Sequence, residues 1–278
     1  MTFNIRERSE LTQRIIAGAL GSTIIISSIL WSEWSYFVVF FFICMLSMLE
    51  FYKLLGTTGS LPLKTFGTMN GLFLYTVTFL VEKNILDPKF YFLVFIGLSA
   101  AFLIKLYVGR DLNPFNNIAL TFLGIAYIGL PFSLLHMAIF FDHNYHYDIL
   151  LGSLFILWAS DTGAYFSGRK FGKRKLFERI SPKKTWEGFF GGAAFAILIG
   201  FVCSQIFSES LNVWKWICIS IIIIIAGTYG DLVESLFKRT IKIKDSGKSI
   251  PGHGGFLDRF DGLLIASPFI VTFLKFIQ

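Results

Sequence analysis

The sequence predicts an all-α fold: a polytopic integral membrane protein of about nine transmembrane helices with its amino terminus in the cytoplasm. Three observations predict it. Hydrophobic residues make up 54% of the chain and charged ones only 15%, with 33 Phe and a mean hydropathy of +0.65, far from a water-soluble average. The apolar residues fall in stretches close to the ~20 residues that span the hydrocarbon core of a bilayer. The cations gather in alternate gaps between those stretches, as in loops retained on the cytoplasmic side.

The first stretch, Ile15 to Trp31, follows a basic amino terminus (Arg6, Arg8, Arg14). It reads as a retained signal anchor, because no small-residue cleavage site precedes the second stretch. Only Ser32 and Glu33 separate it from Trp34 to Phe51, where Glu50 with Lys53 nearby reads as an anchor at the membrane interface. Phe66 to Val81 is short. Phe90 to Val108, Ile118 to Phe141, Ile149 to Ser167, Trp186 to Phe207 and Val213 to Gly230 follow, and a second short stretch, Gly262 to Ile277, comes last. With nine spans, the cytoplasmic segments hold 20 of the 25 Lys and Arg, eight of them from Arg169 to Lys184 and six from Lys238 to Arg259. Dropping a middle span would put one of these two basic loops outside. No internal repeat, low-complexity linker or extended water-soluble domain is evident.

Cys44, Cys203 and Cys218 lie inside apolar runs without CxxC or Cys/His spacing, which argues against disulfide frameworks and zinc sites. The net charge of +7 resides in loops between apolar spans, so anionic lipid and nucleotide phosphates are expected as partners and nucleic acid is not.

The chemistry-bearing residues concentrate in the two basic loops. Between Ser235 and Asp261 stand six cations, four glycines, His253 and three aspartates. Carboxylates, cations and a Gly-rich turn together suit metal-assisted chemistry on phosphates. Asp231 and Glu234 are spaced i, i+3 at the end of the eighth span, and Asp258 and Asp261 repeat that spacing entering the ninth, so each pair shares a helix face. Two antiparallel helices could then present facing carboxylates to magnesium, a hard cation that takes a few carboxylate oxygens, water and substrate phosphates. The plainer reading is charge neutralisation, with Glu234 paired to Lys238 and Asp258 beside Arg259.

Gly247, Gly252, Gly254 and Gly255 could aim backbone N–H groups at phosphate oxygens, or merely join two helices. Gly247-Lys248-Ser249 lacks the upstream glycine of a P-loop, and Gly168 to Lys173 has the wrong spacing. His253 could donate to phosphate or order its loop; His143 and His146 read as solvated loop residues. The other basic loop opens with Ser160-Asp161-Thr162-Gly163-Ala-Tyr165 and closes with Ser181-Pro182-Lys183-Lys184-Thr185-Trp186-Glu187-Gly188. An Asp within an apolar run is a functional candidate. Lys183 and Lys184, just before the seventh helix, could hold a triphosphate or simply mark the cytoplasmic side.

The run Ser-x-Phe-Lys-Arg-x4-Lys-Asp-x-Gly-x2-Ile-Pro-x-His-Gly-Gly-Phe-x-Asp-Arg-Phe-Asp, Ser235 to Asp261, resembles the signature of the phosphatidate cytidylyltransferases at every specified position. The Ser160 to Tyr165, Ser181 to Gly188 and Gly230 to Ser235 segments are similar to further motifs of that family, so the resemblance covers roughly residues 150 to 278. It implies an integral membrane enzyme joining CTP and phosphatidate to give CDP-diacylglycerol and pyrophosphate, dependent on magnesium with or without a second cation, and a homodimer. It implies an active site facing the cytoplasm, in the plasma membrane if bacterial.

On that resemblance, Asp231 and Asp258, with Asp261 beside them, are the expected metal ligands. Lys238, Arg239, His253 and Arg259 are the expected catalytic residues, and Ser160, Asp161, Lys183, Lys184, Gly254 and Gly255 the expected substrate contacts. The regions would then be 1–110, amino-terminal helices; 111–148, a middle helix region with a dimer contact; and 149–278, catalytic. A CTP-dependent polyprenol or phytol kinase and a lipid or ion transporter are the alternatives. A transporter should place charges at the bilayer midplane in both halves of the chain. Here the acids cluster at cytoplasmic helix ends in the last third.

Overall fold

Polar breaks of a few residues separate long apolar runs, and each run folds as a continuous helical rod. A computed structural model describes residues 5–108, 111–141, 144–243, 247 and 254–277. Helices α1 (Ile5–Trp31) and α2 (Glu33–Gly56) are parted only by Ser32, whose hydroxyl caps α2 by accepting from the Trp34 N–H at 3.1 Å. Next come α3 (Lys64–Glu82), α4 (Tyr91–Tyr107) and α5 (Pro114–Gly124). The last continues through a π-turn, Ile125–Gly129, into α6 (Leu130–Ile139). The widened turn falls just before Pro131, which has no N–H to return to the preceding turn. Helices α7 (Tyr147–Phe171) and α8 (Trp186–Ile206) follow. Then α9 (Val213–Ile222) runs through a second π-turn, Ile223–Gly227, into α10 (Thr228–Thr240), and α11 (Leu257–Phe276) ends the described chain.

Among the described residues, each of the nine expected stretches falls on one rod. Six rods, Glu33–Gly56, Pro88–Tyr107, Pro114–Ile139, Tyr147–Phe171, Trp186–Ile206 and Val213–Thr240, are long and apolar enough to cross a membrane, and the apolar part of α1, Ile16–Trp31, is shorter. On α4, Phe92, Phe95, Ile96 and Leu106 are exposed, a surface that water would not tolerate and acyl chains would. The chain is an integral membrane protein built almost entirely of helices.

The all-α expectation needs one correction. Between α7 and α8 the chain forms an antiparallel hairpin, β1 (Lys175–Phe177) with β2 (Ser181–Thr185), pairing Lys175 with Thr185 and Phe177 with Ser181. Its strands are short and polar, so no apolar alternation announces them. What fixes the hairpin comes from α8. The Thr185 hydroxyl caps that helix by accepting from the Gly188 N–H at 3.1 Å, and the Glu187 carboxylate accepts from the N–H groups of Lys173 at 3.0 Å and Arg174 at 3.2 Å.

The core is aromatic, with Tyr36, Phe40, Phe51, Tyr75, Phe132 and Trp216 among its fully buried side chains. Phe260 of α11 packs edge-on against Phe40 of α2 at 6.4 Å and at a tilt against Phe132 of α6 at 5.8 Å. At the junction of α4 and α5, Lys105 pairs with Asp111 and donates to the Leu61 carbonyl at 2.6 Å, while Asn117 donates to Asp111 at 2.7 Å and accepts from the Leu61 N–H at 2.8 Å. That polar knot fastens the entry of α3 to the turn between α4 and α5. The three cysteines take packing positions, Cys44 and Cys203 buried and Cys218 half-buried.

Candidate active site

Helices α10 and α11 approach closely because Gly230 stands at their crossing. A Cβ there would lie 2.5 Å from the Asp261 carbonyl oxygen, a backbone atom that cannot yield. The approach puts Asp231 of α10 beside Asp258 and Asp261 of α11, and Asp161 reaches the same place from α7. These four carboxylates and Arg259 line one cavity of about 220 Å³. Asp258 stands in the first turn of α11 and Asp231 in the first turn of α10, while Asp161 lies within α7, so the charge gathers where these three helices meet.

Two lysines face the acids. Lys184 of β2 donates to Asp231 Oδ2 at 2.7 Å. Lys238 of α10 donates to Asp258 Oδ1 at 2.8 Å and pairs with Glu234 at 2.5 Å. Asp258 also accepts from the Gly255 N–H at 3.3 Å, and Asp261 from the Gly262 N–H at 2.8 Å.

The acidic cavity has a neighbour on either side. A recess of about 510 Å³ includes Ser160, Tyr165, Arg169, Lys183 and Lys184, and shares Asp161 and Asp231 with the acidic cavity. An apolar groove of about 570 Å³ runs between α1, α2 and α11, lined by Ile25, Val39, Phe42 and Ile43 among others, and shares Trp158 and Arg259 with it. Polar recess, acidic centre and apolar groove therefore adjoin in that order.

The donor set suits a hard divalent cation. Among the described residues no three His, Cys, Asp or Glu side chains form a ready-made cage. Magnesium does not need one, since it is held by one or two carboxylates together with water and substrate phosphates. Several carboxylates crowded around so small a space repel one another, and a cation relieves that repulsion.

Most of the residues expected from the sequence meet here. Ser160, Asp161, Lys183 and Lys184 line the polar recess; Asp231, Asp258, Asp261 and Arg259 line the acidic centre; Lys238 bridges its rim. Arg239 does not join them. One residue beyond Lys238 it has turned ~100° around α10, and it is exposed, donating to the Ile243 carbonyl at 3.5 Å. Gly254 takes φ +85°, and the Gly255 N–H is directed at Asp258. His253 lies outside the described residues, as do His143, Gly252 and Lys248.

Three residues gain a place that the sequence reading did not give them. Thr185 and Glu187 hold the hairpin that presents Lys184. Glu50 is no interfacial anchor: it is buried, 7% exposed, and its Oε2 accepts from the Leu257 N–H at 3.2 Å at the start of α11. The rule that an acid inside an apolar run signals function, applied to Asp161, also picks out Glu50.

Fold and site together define a membrane-embedded protein with a charged cluster where α7, α10 and α11 meet, beside an apolar groove. The cytidylyltransferase family model matches residues 12–277, and the chain belongs to that family. It is 38% identical over 175 residues to the phosphatidate cytidylyltransferase of Staphylococcus epidermidis, covering 62% of this chain and 66% of that protein. To the phosphatidate cytidylyltransferase of Haemophilus influenzae it is 46% identical over 138 residues, 48% of each chain. The Staphylococcus aureus phosphatidate cytidylyltransferase is 36% identical over 175 residues, again 62% of this chain and 66% of the relative. The chain thus spans slightly less than two thirds of the curated relatives it matches.

Proposed function

We propose that this protein transfers the cytidylyl group of CTP to phosphatidate, releasing pyrophosphate and forming CDP-diacylglycerol. The observation that carries the reading is the continuity of the three cavities. A polar, cationic recess suits a nucleotide triphosphate, an apolar groove suits acyl chains, and the acidic centre between them is where the two phosphates would meet.

Both substrates are strongly anionic, so the barrier to be lowered is their mutual repulsion. Asp231 and Asp258, with Asp261 beside them, would hold magnesium, which supplies charge neutralisation and polarises the α-phosphoryl oxygens. Lys183 and Lys184 neutralise the triphosphate from the hairpin, Lys184 exchanging Asp231 for phosphate oxygens. Arg259, shared by the acidic centre and the groove, faces the lipid phosphate with a fork suited to bidentate contact. The phosphatidate oxygen is itself the nucleophile, so no covalent enzyme intermediate is required. Lys238 keeps Asp258 oriented, and Ser160 and Asp161 border the nucleotide. His253, from the glycine-rich loop, completes the proposed set.

The acids and cations come from 149–278, with 1–110 contributing the groove and 111–148 a dimer contact. The site faces the cytoplasm, because the basic loops flank it. The protein works as a homodimer in the plasma membrane if bacterial.

One assay tests the activity: purified protein, phosphatidate, magnesium, and CTP labelled either in cytosine or at the γ-phosphate. Cytosine label entering the lipid phase supports the reading. Lipid label from γ-phosphate alone would make the protein a CTP-dependent lipid kinase.

A further inference from the structure

We infer that Glu50 is a positioning residue for the site: from α2 it caps the helix that carries Asp258, Arg259 and Asp261, and so sets where those groups stand. The inference rests on the activity proposed above and extends it to the other half of the chain.

The first turn of any helix leaves N–H groups without helical partners. In α2, α8 and α9 the residue just before the helix answers this locally, through the side chains of Ser32, Thr185 and Asn212. Helix α11 has no such cap, for the preceding residue is Phe256, whose side chain accepts nothing. The acceptor comes instead from Glu50, 207 residues earlier, which takes the Leu257 N–H. A carboxylate there also meets the positive end of the helix dipole. Burying that charge is costly, and the donated N–H together with the dipole offset the cost.

The tie bears directly on the chemistry because Asp258 is the next residue after Leu257. Asp258 Oδ2 in turn accepts from Gly255 and Oδ1 from Lys238, so moving the start of α11 would disturb both of these contacts. Helix α2 is itself firmly seated. Phe51, adjacent to Glu50, stacks on Phe237 of α10 at 5.0 Å, and Phe40 packs against Phe260. Glu50 is thus a fixed point against which α10 and α11 are both registered.

The test compares Glu50→Ala, which removes the acceptor, with Glu50→Gln, which keeps an oxygen at the same reach, and Glu50→Asp, which shortens it. Two measurements are made on detergent-purified full-length protein: hydrogen exchange of the amides at 257–260, and the magnesium concentration that half-maximally stabilises the protein against heat. Turnover is recorded beside them. Glu50→Ala should exchange about five- to tenfold faster at those amides, consistent with loss of a helix cap, and should need correspondingly more magnesium. Glu50→Gln should stay within about threefold of wild type on both, with Glu50→Asp between them.

A purely structural role would lower the melting temperature of Glu50→Ala while leaving its magnesium requirement unchanged, and that result overturns the inference. Should Glu50→Ala not be recovered folded, the other two variants decide: equal magnesium requirements in Glu50→Asp, Glu50→Gln and wild type overturn it as well. Wild-type protein that moves no cytidylyl group would sink the proposed activity but leave the exchange and stabilisation measurements standing.

Discussion

Lys238 of α10 donates to Asp258 of α11 across 2.8 Å, and the same ammonium pairs with Glu234 one turn back on its own helix at 2.5 Å. One cation thus links a buried carboxylate, Glu234 at 2% exposure, to a carboxylate facing the acidic cavity.

Removing the two ends of this link should have different consequences. Asp258→Asn should cut turnover by at least about 100-fold while insertion and folding persist. Lys238→Met should reduce both activity and stability, the latter by about 3 kcal/mol, because the buried Glu234 loses its cationic partner. Adding Glu234→Gln to Lys238→Met should restore much of the stability and little of the activity. Thermal unfolding in detergent, read beside cytidylyl transfer, separates the two effects.

The hairpin has its own signature. Lys184→Ala should raise KM for CTP by about tenfold, the scale of one charge-assisted contact, with a much smaller change for phosphatidate. Equal effects on both substrates would place Lys184 outside the nucleotide recess. Steady-state kinetics with each substrate varied in turn provides the measurement.

Gly230→Ala should force α10 and α11 apart, because the added methyl would meet the Asp261 carbonyl at 2.5 Å. Such overpacking costs about 1–3 kcal/mol. The displacement falls between Asp231 and Asp261, so magnesium-dependent activity should fall further than the melting temperature alone accounts for.

Acid should loosen the knot at the head of α3. The Lys105 ammonium holds the Asp111 carboxyl below its ordinary value of 3.8, with the Asn113 N–H and Asn117 amide helping. A carboxyl depressed in the folded state contributes stability above its unfolded pKa and loses it as pH falls through the folded value. The melting temperature of wild type should therefore drop more steeply below about pH 4 than that of Asp111→Asn.

Much of this site was legible in the amino acids, for identifiable reasons. Asp161, Asp231, Asp258 and Asp261 stand out because carboxylates beside long apolar runs are costly, and the i, i+3 spacing gives each helix an acidic face. Arg239 stands apart from Lys238 because a helix turns ~100° per residue, which sequence adjacency does not show. The hairpin lacks any apolar period, and its stability rests on Thr185, which caps the following helix from β2, and on Glu187 within that helix. Glu50 meets Leu257 across 207 positions, a relationship that spacing within one helix cannot express.

The wide turn at Ile223–Gly227 sets the rotational phase of everything downstream of it. A π-turn holds one residue more than regular α-helix would, so excising a single residue such as Ile225 would let the rod wind evenly. Asp231, Glu234 and Lys238 would then keep their faces, because the wide turn takes up its extra residue without advancing the rotation; the same excision from regular α-helix would swing them by ~100° around the axis. Their grip on α11 is therefore a matter of arc as much as of composition, and the wide turn, less than two turns before Asp231, is where this rod can gain or lose a residue without disturbing it.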